Sequence, residues 1–208
     1  MNDQIKCFFL CGLSKESSVN EQLELEQIKH NDIIQADFID SYFNLTLKSM
    51  IAFKWIKLHT FTLNVRYVLK IDDHIFPNML ELMKHVNTFN KPFVCSQIKN
   101  ANVVRNEKDK FYMSPEEFKP DQYPTYCDGS AYMVSIEMAK RIGEMNRFHG
   151  YLKFEDVYVT GILREILNTT IDNVDKYHAR RYEKLKLPLN SHFYYYLNHP
   201  TMFQYLYA

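Results

Sequence analysis

Short apolar runs alternate with longer segments of helical periodicity through the first hundred residues, and this alternation restricts the possible folds more than any other feature of the chain. The apolar runs have the length of buried strands. The predicted strands are 6–11, 32–35 and 67–71, and the predicted helices are 19–30, 45–58 and 78–89. Such alternation is typical of a mostly parallel central sheet flanked by helices, so we predict an α/β fold.

The second half of the chain is less regular. Residues 105–126 carry many charges and three of the seven prolines, which predicts a long loop or hairpin near a substrate cleft. Beyond it we predict a strand at 130–134 and helices at 136–145 and 155–167. A chain of 208 residues, 46% of them hydrophobic, can bury one sizeable core, so we expect a single domain over residues 1–208.

Charge and composition argue against several classes of function. The chain has 25 basic and 25 acidic residues, so no net charge would attract nucleic acid or an anionic membrane. Only five glycines are present, which argues against a glycine-rich phosphate loop. The four cysteines lack zinc-ligand spacing, and we expect free buried thiols. The first residues contain no apolar run long enough for a signal peptide or a membrane anchor.

The segment Asp72-Asp73-His74 follows a predicted buried strand, at the edge where open α/β sheets bind ligands. If the segment is extended, Asp72 and His74 point to one face and Asp73 points to the other. An oxygen and a nitrogen ligand would then lie side by side, an arrangement suited to a divalent ion such as Mn²⁺. The alternative is a turn that uses aspartate at a strand exit, and the residues alone do not decide between the two.

The acidic pair Glu155-Asp156 begins a predicted helix after a turn. A carboxylate at this position can stabilise the helix through its dipole. It can also act as a general base that takes a proton from an attacking hydroxyl. Spacing does not choose between these two roles.

Four blocks of the sequence carry a recognisable pattern. The first block begins DIIQADFIDSYFNLTLKS at Asp32, and Trp55 follows it. The other three are KIDDHIF from Lys70, YPTYCDGSAY from Tyr123 and EDVYVTG from Glu155. In this order, over residues 32–161, the blocks resemble those of the β-1,3-galactosyltransferase and N-acetylglucosaminyltransferase family, glycosyltransferase family 31.

The resemblance implies a GT-A-like nucleotide-sugar-binding domain and an inverting hexosyl transfer from a UDP-sugar to a glycan hydroxyl in β-1,3 linkage. Asp156 would be the catalytic base. Asp72, Asp73 and Gly129 would bind the donor, with Lys48 as a weaker candidate because a helical lysine is often only solvated. Manganese would be held by three ligands, namely Asp72, His74 and, near the C-terminus, His192, with His199 as the second choice.

Three departures from the family pattern affect these expectations. Family members carry a strand and helix, and before them a membrane anchor, ahead of the strand that corresponds to 6–11, so we expect the nucleotide pocket to lack one wall. His74 replaces the aspartate that usually contacts the metal. The cysteine expected after Trp55 is absent, so Cys127 is expected to lack its disulfide partner.

Two functions of different class follow from this sequence. The leading hypothesis is a hexosyltransferase that takes UDP-galactose or UDP-N-acetylglucosamine, acts on glycoprotein or glycolipid glycans, and resides on the luminal side of the Golgi membrane, all by resemblance. The alternative is a catalytically degenerate paralogue that acts as a glycan-binding or chaperone-like protein. The acidic pair favours the enzyme, whereas His74 and the short N-terminus favour the paralogue.

Overall fold

The computed structural model describes residues 5–59, 65–145 and 151–174, together with two short strands at 178–179 and 194–196. The strands are β1 (Phe9–Leu13), β2 (Ile33–Ile39), β3 (Tyr67–Ile71), β4 (Ile75–Pro77), β5 (Phe93–Ile98), β6 (Tyr126–Ser135), β7 (Ile171–Asn173), β8 (His178–Ala179) and β9 (Tyr194–Tyr196). The helices are α1 (Ser17–His30), α2 (Leu45–His59), α3 (Met79–His85), α4 (Ile136–Glu144), a π-helix (Val157–Leu163) and α5 (Arg164–Ile166), with 3₁₀ turns at Tyr42–Asn44 and Val86–Thr88. None of these described helices is long and apolar enough to cross a bilayer.

The described strands form three sheets rather than one. The central sheet has the order β3-β6-β5-β7, and the smaller sheets are β1-β2 and β4-β9-β8. The predicted parallel pairing occurs in β1–β2 and in β5–β7. Strand β6 instead runs antiparallel to both β3 and β5, because the chain leaves β5, makes a long excursion and returns beside it. The α/β class predicted from the sequence is confirmed, but two of the three pairings within the described central sheet are antiparallel, whereas a mostly parallel sheet was predicted.

The main core lies between the central sheet and helices α2 and α4. Strand β6 supplies its middle, with Tyr132 and Val134 almost fully buried. The two helices approach each other closely at Gly143, where a β-carbon would lie 2.4 Å from the carbonyl oxygen of Phe53. Glycine is required there because any side chain would push the two helices apart.

Cys95 and Cys127 form a disulfide bridge between β5 and β6. The sequence-based expectation of free thiols is therefore wrong for this pair, and so is the expectation that Cys127 has no partner. The two residues are 32 positions apart in sequence, but the antiparallel pairing of β5 with β6 places their α-carbons 5.6 Å apart. Cys7 and Cys11 are free, and Cys7 is exposed rather than buried.

The predicted loop at 105–126 is confirmed as part of an irregular excursion between β5 and β6. It is held together by the side chain of Arg105, whose guanidinium donates to the carbonyl oxygens of Met113, Phe118 and Pro120 at 2.8 Å each. A single guanidinium group therefore donates hydrogen bonds to carbonyl groups that lie outside the strands. The excursion is an ordered substructure over the central sheet rather than a simple hairpin.

The predicted helix at 155–167 is present, but its middle is a π-helix. Thr160 explains part of this irregularity, because its hydroxyl donates to the carbonyl oxygen of Asp156 at 2.6 Å. The same hydroxyl accepts from the backbone N–H of Cys127 at 2.8 Å. A threonine that bonds both to its own helix and to a neighbouring strand alters the regular helical hydrogen bonding. The beginning of this helix is thereby fixed against β6.

Candidate active site

Three of the predicted site residues lie together where elements of the central sheet end. Asp72 directly follows β3, Gly129 lies in β6, and Asp156 begins the helix that packs on β6. The amino group of Lys70 donates to a carboxylate oxygen of Asp72 and to the carbonyl oxygen of Gly129, both at 2.5 Å. A β-carbon on Gly129 would lie 2.9 Å from a carboxylate oxygen of Asp156. Asp72, Gly129 and Asp156 therefore belong to one cluster.

Asp156 is held at the start of its helix by a bond from the backbone N–H of Val157 to its own side chain at 2.8 Å. Burial and the negative charge of Glu155 raise the pKa of Asp156 to about 7. The opposing influences, the Val157 N–H and the Lys70 cation, are smaller. A carboxyl group with a pKa near neutrality can exchange a proton at physiological pH, which is the property a general base requires.

Glu155 points into the core behind Asp156. Its side chain is buried and accepts a hydrogen bond from the hydroxyl of Tyr132 at 2.5 Å. Burial raises the pKa of Glu155, while Lys70, Tyr132 and Ser49 oppose the rise. Glu155 therefore lies among partners from β3, β6 and α2, and it fixes the position of the adjacent Asp156. The resemblance had assigned the role of base to Asp156.

Lys70 is the cation shared by these carboxyl groups, and the sequence interpretation gave it no role. Burial alone would lower the pKa of Lys70, but Glu155, Asp72 and Asp156 outweigh that effect and the net pKa is raised. Lys70 is therefore charged at neutral pH and compensates part of the negative charge of the cluster. A single lysine within the otherwise apolar strand Tyr67–Ile71 is the sequence signal that could have identified it.

The segment that follows β3 is a turn and not an extended strand. The backbone N–H of Ile75 donates to the carbonyl oxygen of Asp72 at 3.1 Å, which closes a four-residue turn. The alternation that was expected to place Asp72 and His74 on one face therefore does not apply. Asp73 is fully exposed and His74 half-exposed, with His74 Nδ1 lying 3.5 Å from a carboxylate oxygen of Asp73.

The described residues do not by themselves fit a metal ion. No group of three or more histidine, cysteine, aspartate or glutamate side chains converges in the described part of the chain. One carboxylate oxygen of Asp72 is paired with the amino group of Lys70. The third predicted ligand, His192, and its alternative His199 lie outside the described residues.

Lys48 pairs with a carboxylate that does not belong to the Lys70 cluster. Its amino group is 2.7 Å from a carboxylate oxygen of Asp40, and that same oxygen accepts from the backbone N–H of Gly12 at 2.8 Å. The ion pair joins α2 to the ends of β1 and β2. The prediction that Lys48 contacts the donor is not supported by a contact with Asp72, Gly129 or Asp156, and it stays a prediction.

Comparison with known proteins identifies the family of the chain. The galactosyltransferase family model matches residues 1–175. The chain is 33% identical to human β-1,3-galactosyltransferase 5 over 174 residues, which cover 82% of this chain and 55% of the human protein. It is 34% identical to mouse β-1,3-galactosyltransferase 1 over 167 residues, which cover 78% of this chain and 51% of the mouse protein. The chain thus spans about half the length of the curated relatives it matches.

The mixed α/β fold, together with the family match, places the protein in the class of glycosyltransferases with a GT-A-like domain. Within that class the chain belongs to the galactosyltransferase family, and the resemblance drawn from its four sequence blocks is confirmed.

Proposed function

We propose that this protein transfers galactose or N-acetylglucosamine from a UDP-sugar to a hydroxyl group of an acceptor glycan, with inversion and in β-1,3 linkage. The observation that carries the proposal is the half-buried carboxyl group of Asp156, whose pKa is raised to about 7 and which lies against Gly129. The names of the related β-1,3-galactosyltransferases support the same reaction class.

The proposed step is a single displacement. The acceptor oxygen forms a bond to the anomeric carbon of the donor while the bond from that carbon to the UDP oxygen breaks, and UDP leaves with the electron pair. The hydroxyl proton passes to Asp156, which must be ionised to accept it. Gly129 permits close packing at this point because a β-carbon there would collide with the Asp156 carboxylate. Lys70 and Glu155 hold the surrounding charges in place.

Manganese is part of the proposal only as a hypothesis, since the described residues do not converge on a metal. Its test is calorimetric titration of UDP with and without Mn²⁺, in the wild type and in His74→Asp. A carboxylate is a harder and more negative ligand than imidazole, so His74→Asp should tighten the Mn²⁺-dependent part of UDP binding. Identical titrations with and without Mn²⁺ in both proteins would remove the metal from the proposal.

We also propose that the protein works on the luminal side of the Golgi membrane. The support from the structure is the Cys95–Cys127 bridge, because disulfides persist in oxidising compartments and are rare in the cytosol. Imaging of the protein from its natural gene beside a Golgi marker tests this location, and a purely cytosolic signal would contradict it.

The experiment that tests the reaction measures UDP release from UDP-galactose and UDP-N-acetylglucosamine with a panel of acceptor glycosides. Asp156→Asn keeps the size of the side chain but removes the proton acceptor, so turnover should fall by about 10²–10⁴ while UDP binding is kept. Asp121→Asn is the matched control, since the side chain of Asp121 is almost fully exposed, and its turnover should equal that of the wild type. Unchanged turnover in Asp156→Asn would show that Asp156 is not the base.

A second candidate is a degenerate paralogue that binds glycans without transferring sugar. Its support is the exposed His74 at the position of the usual metal-binding aspartate and the pairing of Asp72 with Lys70. It predicts glycan binding without UDP release for any donor, and equal behaviour of the wild type and Asp156→Asn.

A further inference from the structure

Three aromatic side chains stand out from the surface beside the Asp156 cluster. Tyr42 and Phe43 lie in the 3₁₀ turn before α2, and Phe111 lies in the excursion between β5 and β6; their exposed fractions are 41%, 56% and 51%. The rings of Tyr42 and Phe43 meet edge to face, with centroids 5.6 Å apart. Large exposed aromatic groups that lie close together indicate a binding surface more often than chance exposure.

Lys110 joins these aromatic groups into one surface. Its amino nitrogen lies 4.2 Å from the ring centroid of Tyr42 and 5.6 Å from that of Phe111. Both distances are within the range of cation–π attraction. The excursion is therefore held over the turn before α2, although the two segments are far apart in sequence. We call Tyr42, Phe43, Lys110 and Phe111 the aromatic rim.

The aromatic rim borders the carboxyl groups of the site on two sides. On one side, burial and the charges of Asp156 and Asp72 raise the pKa of the Tyr42 hydroxyl, which places that hydroxyl within electrostatic reach of both carboxylates. On the other side, the ring of Phe111 lies 6.1 Å from that of Phe154, two residues before Asp156. The rim therefore lies near the proposed base.

We propose that the aromatic rim binds the sugar ring of the acceptor glycan and directs its hydroxyl toward Asp156. That the bound molecule is the acceptor follows from the proposed function. A hexose offers one face rich in C–H groups, which packs on aromatic rings, and a polar edge for hydrogen bonds. A neutral acceptor suits an aromatic surface. The donor carries the negative charge of UDP, and the one cation of the rim, Lys110, already contacts the rings of Tyr42 and Phe111. The acceptor is also the substrate whose hydroxyl must reach Asp156.

The test compares the kinetic constants of rim variants for donor and acceptor, using the acceptor glycoside and UDP-sugar that give the fastest transfer. Tyr42→Ala and Phe111→Ala should each raise the acceptor KM about tenfold and change the donor KM less than about twofold. Tyr42→Phe keeps the ring and should retain the acceptor KM, while Lys110→Gln should raise it by a smaller factor than the alanine variants. The controls are Ile166→Ala, a side chain of similar exposure at the far end of the Asp156 helix, and Lys108→Gln in the same excursion.

The possible outcomes distinguish a failure of the acceptor-site proposal from a failure of the proposed function. A larger effect on the donor KM, or equal effects in the controls, would overturn the rim as an acceptor site even if transfer is robust. If no donor supports transfer, saturation-transfer NMR with the same glycosides tests the rim directly. A signal that is lost in Tyr42→Ala but kept in Asp156→Asn supports it. A signal that is kept in Tyr42→Ala, or the lack of any signal with the wild type, overturns it.

Discussion

Asp156 owes its raised pKa first to burial and then to the neighbouring charge of Glu155, so its protonation should control activity near neutral pH. The ionised form accepts the proton, and therefore kcat/KM should rise with pH through about 7 and be lost below it. Glu155→Gln removes a negative charge beside Asp156, so the midpoint of this rise should move to lower pH. The control is Glu165→Gln, an exposed glutamate in the same helix, which should leave the midpoint in place. Equal midpoints in wild type and Glu155→Gln would contradict the assignment of the profile to Asp156.

Lys70 should matter more for stability than an ordinary surface lysine. Lys70→Met leaves the carboxyl groups of Asp72 and Glu155 without their common cation in a partly buried site, so we expect the free energy of unfolding to fall by about 1–3 kcal/mol. Lys84 is the matched control because it forms an ion pair with Glu81 on the surface, and Lys84→Met should cost under about 1 kcal/mol. Urea denaturation measures both. Equal losses would show that Lys70 is no more than another surface charge.

Some residues of the cluster could be predicted from the sequence and others could not. Asp72, Gly129 and Asp156 lie within the family blocks and were found by resemblance. The geometry around Asp72 was not, because the periodicity of a strand says nothing about the turn that follows it. The role of Lys70 depends on carboxylates 2 to 86 residues away in sequence, namely Asp72, Glu155 and Asp156, and only the folded chain brings them together.

Two glycines test how elements are packed against each other. Gly129→Ala places a methyl group against the Asp156 carboxylate. The side chain of Asp156 can move aside, so the melting temperature should stay almost unchanged. Turnover should fall, because the displaced carboxylate is the proposed base. Gly143→Ala places the methyl group against the backbone carbonyl of Phe53, which cannot move without shifting α2 from α4. It should destabilise the protein by about 1–3 kcal/mol. Thermal unfolding and initial rates measure both variants, and a Gly129→Ala protein with normal turnover would contradict the packing at the site.

At the level of single elements, the sequence predicted those strand and helix bounds that depend on the local residue pattern. The bounds of β3 and the beginning of α4 agree with the prediction, and β1 and β2 begin one to three residues later than predicted. The antiparallel course of β6 was missed because its neighbours are chosen by contacts distant in sequence. The π-helix was missed for a similar reason, since the hydroxyl of Thr160 bonds to β6 as well as to its own helix.

At the scale of the whole molecule, the Cys95–Cys127 bridge should contribute a large part of the stability. A bridge that closes a loop of this size, between residues 32 positions apart, is worth about 4 kcal/mol in the chain-entropy description. Reduction, or the double variant Cys95→Ala with Cys127→Ala, should therefore lower the unfolding midpoint, whereas Cys7→Ser should not. Alkylation of the unfolded, unreduced chain followed by mass spectrometry should label Cys7 and Cys11 only. Labelling of all four cysteines would show that the bridge is absent.

The bridge also has a consequence for how such a chain can diversify. It fastens β5 to β6 on the sheet side of the excursion that carries Lys110 and Phe111, and Arg105 gathers the carbonyl groups inside that excursion. Insertions or replacements between these anchors leave the ends of the excursion in the same place. If the aromatic rim binds the acceptor as proposed, changes within this segment can alter acceptor preference while the strands and helix that hold Asp156 are kept.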